Sequence, residues 1–243
     1  MKSLFSNKSD FEKICQSNKF SLDYLTNKDY LFLLKAIFEE REYADYFPFY
    51  ENAWIVDVGA HVGYFSLFAS LNSGPESRII SVEPDERNYH TLQRNVIDAK
   101  RKNIEALHIA LSDHSGDVTL FQGNSVNHSL ISDYALNEGR HSHTIVKSLT
   151  LAELMKRTSM DHIDFLKLDC EGAEYAIILH TPDDILKKIR VISMEFHDLK
   201  DARYTANVLH TRLKKLGFTI EKFQYERTEM GLNFGKLIAV NYV

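Results

Sequence analysis

Acidic side chains follow four short apolar runs of this sequence, and a histidine accompanies one of them. Asp57 ends WIVD, Glu83 ends IISVE, Asp169 ends FLKLD, and Glu195 and His197 alternate in ISMEFHD. Apolar runs of this length predict buried strands, and ligands of an open parallel sheet bind outside the carboxyl ends of its strands. We therefore expect these side chains to share one cleft, where they can accept hydrogen bonds or protons from a small molecule.

A glycine turn follows the first of these runs, because Gly59 and Gly63 flank the segment DVGAHVG. Glycine lets a backbone approach a ligand closely, and the following helix start offers free N–H groups. The dinucleotide fingerprint GxGxxG does not fit, since His61 and Tyr64 occupy its second and third glycine positions, and no phosphate-binding Lys-Ser/Thr pair follows. Asp57 before the turn favours a ligand with an ammonium group, such as the methionyl part of S-adenosylmethionine.

The remaining acids have different expected roles. Glu83 lies 24 residues after Gly59, near the spacing at which an acid binds ribose hydroxyls, so we expect it to accept hydrogen bonds from a ribose. Glu171 and Glu174 follow Asp169 at the start of a helix, where the helix dipole favours acids. Glu174 therefore either caps this helix or serves the cleft.

Two basic side chains lie close to these acids. Lys167 is polar inside an apolar strand and needs a buried partner, for which Asp57 and Glu195 at neighbouring strand ends are the candidates. His197 is a natural proton acceptor near neutral pH, although a histidine at a strand end can also be structural.

Alternating strand and helix patterns from Trp54 onward position these residues and predict an α/β fold, with a parallel sheet covered by helices on both faces. The last two strands, FTIEKFQYE and KLIAVNYV, predict one antiparallel hairpin at the edge. We divide the chain into an N-terminal helical arm or cap, residues 1–50, and a ligand-binding domain, residues 51–243. The aromatic segment REYADYFPFYEN of the arm either packs at the domain edge or covers the mouth of the site.

The composition narrows the classes of function. The 243 residues include 29 basic and 34 acidic side chains, so the net charge of −5 argues against binding of nucleic acid through a positive field. No stretch approaches the roughly 18 apolar residues of a membrane span, and the first residues lack the apolar core of a secretory signal. Two cysteines suit a reducing compartment, so we expect a cytoplasmic protein. The oligomeric state stays open.

These motifs together resemble the FkbM family of S-adenosylmethionine-dependent methyltransferases. The matching stretches, from about residue 50 to 198, are WIVDVGAHVGYFSL, SVEPDERNYHTLQRN, HIALSDHSGDVTL, IDFLKLDCEGAEYAII and VISMEFHD. The DxEGxE element that begins at Asp169 is the most discriminating of them. The resemblance implies a Rossmann-like class I methyltransferase fold, with a seven-stranded, mostly parallel sheet and an antiparallel C-terminal strand.

The resemblance also implies which residues bind S-adenosylmethionine. Glu83 would hold the ribose hydroxyls and Pro84 would pack near the adenine. The other implied cofactor residues are Asp57, Gly59, Ala60, His61, Gly63, Tyr64, Phe65, Ala110, Leu111, Ser112, Asp113 and Asp169. His61 stands where the family often has asparagine, so we expect it to contribute its backbone. Cys170 is interpreted as a packing residue rather than a nucleophile.

The expected reaction is O-methylation of a hydroxyl on a small molecule, sugar or glycan, by in-line transfer with help from a general base. We expect His197 or Glu171 to take the hydroxyl proton, and Asp169 and Glu195 to position the base or the substrate. Mg²⁺ bound by these carboxylates or His197 is an open alternative. The long polar loop of residues 122–143 offers three candidate acceptor contacts, Asn124, His128 and Ser129.

Three other functions compete with this interpretation. A methyltransferase-like subunit could bind S-adenosylmethionine without catalysis, and an N-methyltransferase could use the same sheet. Enzymes that methylate a nucleobase amine often place an Asn/Asp-Pro-Pro-aromatic turn where this chain has DCEG, which disfavours that substrate. The missing GxGxxG disfavours a nicotinamide-dependent oxidoreductase.

Overall fold

The computed structural model describes residues 28–122, 129–130, 142–197, 199, 201–227 and 233–242. Its strands are β1 (Trp54–Val58), β2 (Arg78–Val82), β3 (Ile104–Leu107), β4 (Ala110–Leu111), β5 (Gly116–Gln122), β6 (Ser142–Leu149), β7 (Ile163–Leu168), β8 (Ile189–His197), β9 (Thr219–Arg227) and β10 (Asn233–Val240). Its helices are α1 (Lys28–Phe38), α2 (Tyr64–Asn72), α3 (Glu86–Asp98), α4 (Leu151–Arg157), α5 (Ala173–His180), α6 (Asp183–Leu186) and α7 (Ala206–Lys215).

The main sheet has seven strands in the order β3-β2-β1-β7-β8-β10-β9. Neighbours from β3 to β8 pair in parallel, whereas β10 is antiparallel to both β8 and β9. The expected class I methyltransferase fold is confirmed, including its reversed C-terminal strand. The predicted terminal hairpin is present, and its second strand, β10, lies inside the sheet while β9 forms the edge.

Alternating side chains along the central strands build a core on each face of this sheet. On one face, Ile55 of β1 and Phe165 of β7 pack with residues of α1 and α2. On the other face, Val56 and Leu166 pack with residues of α4, α5 and α7. Because both faces of β1 and β7 are buried, these strands read in sequence as continuous apolar runs.

A second, three-stranded sheet with the order β4-β6-β5 flanks the main one. The sequence predicts β5 but not β6, and the predicted third strand divides into β3 and β4. The pattern of β6 is misleading because Ile145 is exposed while Ser148 is buried, with its hydroxyl donating to the His114 carbonyl oxygen at 2.8 Å. A buried hydroxyl with a backbone partner takes the place of an apolar residue there.

The N-terminal arm begins, within the described residues, with α1, whose Leu34 and Ile37 are buried as the helical spacing predicts. Residues 1–27 of the expected arm lie outside the described residues. Phe47 anchors the segment after α1, since its ring packs edge-on against Phe68 and Phe165 at centroid distances of 5.5 and 5.3 Å. No helix among the described residues is long and apolar enough to cross a membrane.

We expect Gly59→Ala to lower the free energy of unfolding more than Gly217→Ala. Both glycines have positive φ, +73° and +97°, so both substitutions carry a backbone cost of about 1 kcal/mol. A Cβ at Gly59 would also lie 1.9 Å from the Asp169 carbonyl oxygen, whereas one at Gly217 would have nothing within 4 Å. Urea unfolding of the two variants measures the difference, and equal losses would contradict this close approach.

Candidate active site

A cavity of about 690 Å³ opens at the carboxyl ends of β1, β2, β7 and β8. Parallel strands bring their ends to one edge, which is where the sequence places its acids. The structure brings most of the expected residues together there: Gly59, Ala60, His61, Tyr64, Phe65, Glu83, Pro84, Ala110, Leu111, Asp169, Glu171 and Glu195 all line the cavity.

The glycine turn is bound to the neighbouring strand end. The backbone N–H groups of Gly59 and Ala60 both donate to the Val82 carbonyl oxygen at 3.0 Å. Glu83, the next residue, accepts from the backbone N–H groups of His61 at 2.8 Å and Asp85 at 2.9 Å. Burial raises the pKa of Glu83 to about 7 despite these two donors. The cavity therefore contains a carboxyl group that titrates near neutral pH beside the turn.

A buried ion pair joins β1 to β7. Asp57 and Lys167 are register partners, and Lys167 Nζ lies 3.1 Å from Asp57 Oδ1. The same ammonium donates to the Gly59 carbonyl oxygen at 2.9 Å and lies 3.8 Å from Asp169 Oδ2. Burial by itself lowers the pKa of Lys167, but the charges of Asp57 and Asp169 outweigh it and raise that pKa. Asp57, one of the two expected partners, is thus the close one.

Asp57 is fully buried and supports the glycine turn from the interior of the protein. Its second oxygen accepts from the Ser66 hydroxyl of α2 at 2.6 Å, and Ser66 shares a further 2.6 Å contact with Ser81 of β2. Asp57 does not line the cavity itself, and it fixes the turn that does.

A buried histidine surrounded by carboxylates lies beside the cavity, at the end of β8. His197 Nε2 lies 3.6 Å from Glu195 Oε1 and 3.9 Å from Glu171 Oε1, and Nδ1 lies 3.5 Å from Glu174 Oε1. Burial by itself lowers the pKa of His197, but the contact with Glu174 and the charges of all three acids outweigh it and raise that pKa to about 10. His197 is therefore an imidazolium near neutral pH.

Two of these acids differ in their surroundings. Glu195 lines the cavity, and burial, followed by the charge of Asp169, raises its pKa. Glu174 is fully buried and accepts from the backbone N–H groups of Cys170 and Gly172, each at 2.8 Å. Glu174 thus closes the turn before α5 and contacts His197, and it does not line the cavity.

The arm and β10 supply further walls, of which the sequence offered the arm as one of two alternatives but gave no indication of β10. Phe32, Leu33 and Tyr43 line the cavity from the arm, and Phe234 and Lys236 line it from β10. Lys236 forms an ion pair with Glu42 of the arm, also a lining residue. The aromatic segment REYADYFPFYEN was the sequence signal for Tyr43. Lys236 is a polar residue early in a strand, and such a residue gives no signal of a place in a site.

Other expected site residues lie elsewhere. Gly63, Ser112, Asp113 and His197 do not line this cavity, and Ser112 and Asp113 line a neighbouring hollow. Ser129, an expected acceptor contact, is fully buried and donates to the Glu171 carbonyl oxygen at 2.6 Å. It therefore supports the acidic turn rather than facing a ligand. Asn124 and His128 lie outside the described residues.

A cation could be held only by a mixed donor set in the part of the chain that the structure describes. Donor atoms of Asp169, Glu195 and His197 lie within 4.8 Å of one another. Mg²⁺ prefers oxygen donors, which Asp169 and Glu195 supply, and His197 adds a nitrogen donor. The two carboxylates of this set, Asp169 and Glu195, can also interact with a positively charged ligand.

Comparison with known proteins is consistent with this geometry. The profile described as "Methyltransferase FkbM domain" matches residues 57–220. Methyltransferase 1 of Beauveria bassiana (strain ARSEF 2860) is 26% identical over 209 residues, which cover 78% of this chain and 81% of that protein. Methyltransferase sdnD of Sordaria araneosa is 23% identical over 242 residues, which cover 88% of this chain and 92% of that protein.

The solved structure of an uncharacterized protein from Listeria monocytogenes serotype 4b matches with a TM-score of 0.50 and 14% identity. The match covers 82% of this chain and 65% of that one. At this identity the likeness concerns the fold alone.

We expect Lys167→Met to destabilise the protein by about 3–5 kcal/mol, because it leaves the buried carboxylate of Asp57 without its cation. Urea unfolding measures the loss. The double variant Lys167→Met/Asp57→Asn should lose less than the sum of the two single variants, since it removes both charges together. Additive losses would contradict the pairing.

Proposed function

This chain belongs to the FkbM methyltransferase family, and on that premise we propose that it transfers the methyl group of S-adenosylmethionine to a hydroxyl of a small molecule or glycan. One observation carries the proposal: a single cavity joins the glycine turn and Glu83 at one end to Asp169, Glu171 and Glu195 at the other. The end with the glycine turn and Glu83 suits a nucleoside that carries an amino acid chain. The end with the three acids suits a methyl acceptor that must lose a proton.

We propose that Glu83 accepts the ribose hydroxyls while Pro84, Ala110 and Leu111 pack around the adenine, since all four line the same end of the cavity. The turn from Gly59 to His61 then faces the methionyl part. When bound, S-adenosylmethionine supplies an electrophilic methyl group on a sulfonium. The protein's task is to hold the acceptor in line with that group at contact distance.

His197 is poorly suited to be the base, although the sequence offers it with Glu171 as a candidate. An imidazolium with a pKa of about 10 holds its proton at neutral pH. We propose instead that Glu195, which lines the cavity, takes the hydroxyl proton, and that His197 balances the charge of the cluster. Burial raises the pKa of Glu195, which makes its ionised form a stronger base for a weakly acidic hydroxyl.

The turn after β7 supports a hydroxyl over a nucleobase amine. The backbone N–H groups of Cys170 and Gly172 are bound by Glu174, so this turn is tied to its own helix rather than shaped as an amine-gripping Pro-Pro turn. We further propose that residues 1–50 form a cap on a methyltransferase domain of residues 51–243, because the described part of the arm lines the acceptor end.

We expect the affinity for S-adenosylhomocysteine to fall as the pH drops below about 7. Ribose hydroxyls donate to the ionised form of Glu83, so protonation of this group in the free protein opposes binding, by up to about tenfold per pH unit. Calorimetric titration from pH 5.5 to 8.5 measures the effect. Glu83→Gln should bind more weakly and lose this dependence, and a flat profile for the wild type would remove Glu83 from the ribose site.

We expect one or more members of a panel of glycosides and other polyols to gain one methyl group from S-adenosylmethionine, as detected by product mass. Glu195→Gln should then lower kcat by about 10²–10⁴-fold with little change in cofactor affinity, because it removes a base. Glu171→Gln serves as the matched variant, since its carboxylate lines the same cavity and contacts the same imidazolium.

If Glu171→Gln lowered kcat more than Glu195→Gln does, Glu171 rather than Glu195 would be the base. Thermal stabilisation by S-adenosylmethionine without methylation of any acceptor would favour a non-catalytic binding subunit. Methylation of amines but not of hydroxyls would favour N-methylation.

A further inference from the structure

A tyrosine of the arm reaches the centre of the cavity from outside the region that the family profile matches. The Tyr43 hydroxyl donates to Asp169 Oδ2 at 3.0 Å, and both residues line the cavity. Tyr43 is 7% exposed, so its hydroxyl is sheltered from bulk water, while the Asp169 side chain is 32% exposed on the cavity side. A sheltered bond to an ionised acceptor is stronger than an exposed, neutral one.

We propose that Tyr43 is a positioning residue for methyl transfer: its hydroxyl fixes the Asp169 carboxylate beside the methyl group to be transferred. The inference rests on the function proposed above, because it assigns Tyr43 a part in that reaction.

Two groups orient Asp169 from the same side. Tyr43 and Lys167 both approach Oδ2, at 3.0 and 3.8 Å, and neither contact uses Oδ1. The Lys167 ammonium also lies 5.5 Å from the centre of the Tyr43 ring, a cation–π contact that keeps the ring next to the ion pair. The carboxylate is thereby held in one orientation while its other oxygen can serve a ligand.

Asp169 lies where the two ends of the cavity meet. Its backbone carbonyl is packed against Gly59 of the cofactor turn, where a Cβ would lie 1.9 Å away. Its side chain has a donor atom within 4.8 Å of those of Glu195 and His197 at the acceptor end. A group that touches both ends is well placed to act at the transferred methyl.

The arm is anchored well enough to fix a hydroxyl. The Tyr43 ring packs edge-on against Phe65 with 5.3 Å between centroids, and Phe47 is held within the aromatic core. On the other side, Glu42 forms the ion pair with Lys236 of β10. Tyr43 is thus fixed on both sides, which a positioning role requires.

Binding of sinefungin tests the inference without knowledge of the acceptor. This analogue of S-adenosylmethionine carries an amine in place of the transferred methyl group, whereas S-adenosylhomocysteine carries nothing there. If Tyr43 fixes Asp169 at that point, Tyr43→Phe should weaken sinefungin binding about tenfold, the order of one charge-assisted hydrogen bond. Its affinity for S-adenosylhomocysteine should stay within about twofold. Isothermal titration calorimetry measures both.

Tyr46→Phe is the matched control. Tyr46 lies in the same arm and also donates to a carboxylate, that of Glu221 at 2.8 Å, but it does not line the cavity. This variant should change neither affinity. A double-mutant cycle then tests whether Tyr43 acts through Asp169: in an Asp169→Asn background, Tyr43→Phe should cause little further loss of sinefungin affinity.

Three results would overturn the inference: unchanged sinefungin affinity in Tyr43→Phe, an equal loss for both ligands, or full additivity with Asp169→Asn. An equal loss accompanied by a lower melting temperature would make Tyr43 a structural residue only. If the wild-type protein bound neither ligand, the proposed function itself would fail, and that outcome is distinct from a change confined to the variant.

Discussion

The site depends on one buried ion pair between neighbouring strands. Lys167 meets Asp57 in register, and its ammonium also bonds to the carbonyl of Gly59, so a single cation ties two strands and the glycine turn together. A buried charge is costly unless it is paired and hydrogen-bonded, and here each partner has several contacts. The position of the turn is therefore set by electrostatics as well as by backbone conformation.

The acceptor end shows how a cluster of acids can be kept together. Only one imidazolium, His197, lies among Glu171, Glu174 and Glu195, so the charges of these groups do not cancel. Burial and the charge of Asp169 raise the pKa of Glu195, the charge of His197 opposes that rise, and the surrounding carboxylates hold the proton on His197. In the proposed reaction, a sulfonium cofactor brings a further positive charge towards this negative end.

The sequence predicts the sheet and the end of the cavity beside the glycine turn well, because strand periodicity, the glycine turn and the acid after each strand are local signals. It identifies Glu83 and Asp169 as cavity residues and offers Asp57 as a partner for Lys167. It does not predict the charge state of His197, which depends on three carboxylates brought together from different turns and strands. It also cannot place Lys236, because no local pattern shows which strand of a hairpin enters the sheet.

The walls of the cavity come from different parts of the chain. The turn, the ribose acid and the acidic strand ends fall inside residues 57–220, whereas Phe32, Tyr43 and Lys236 fall outside that range. The cavity therefore depends on residues on both sides of the matched range, and that range taken alone lacks the Tyr43 hydroxyl that bonds to Asp169.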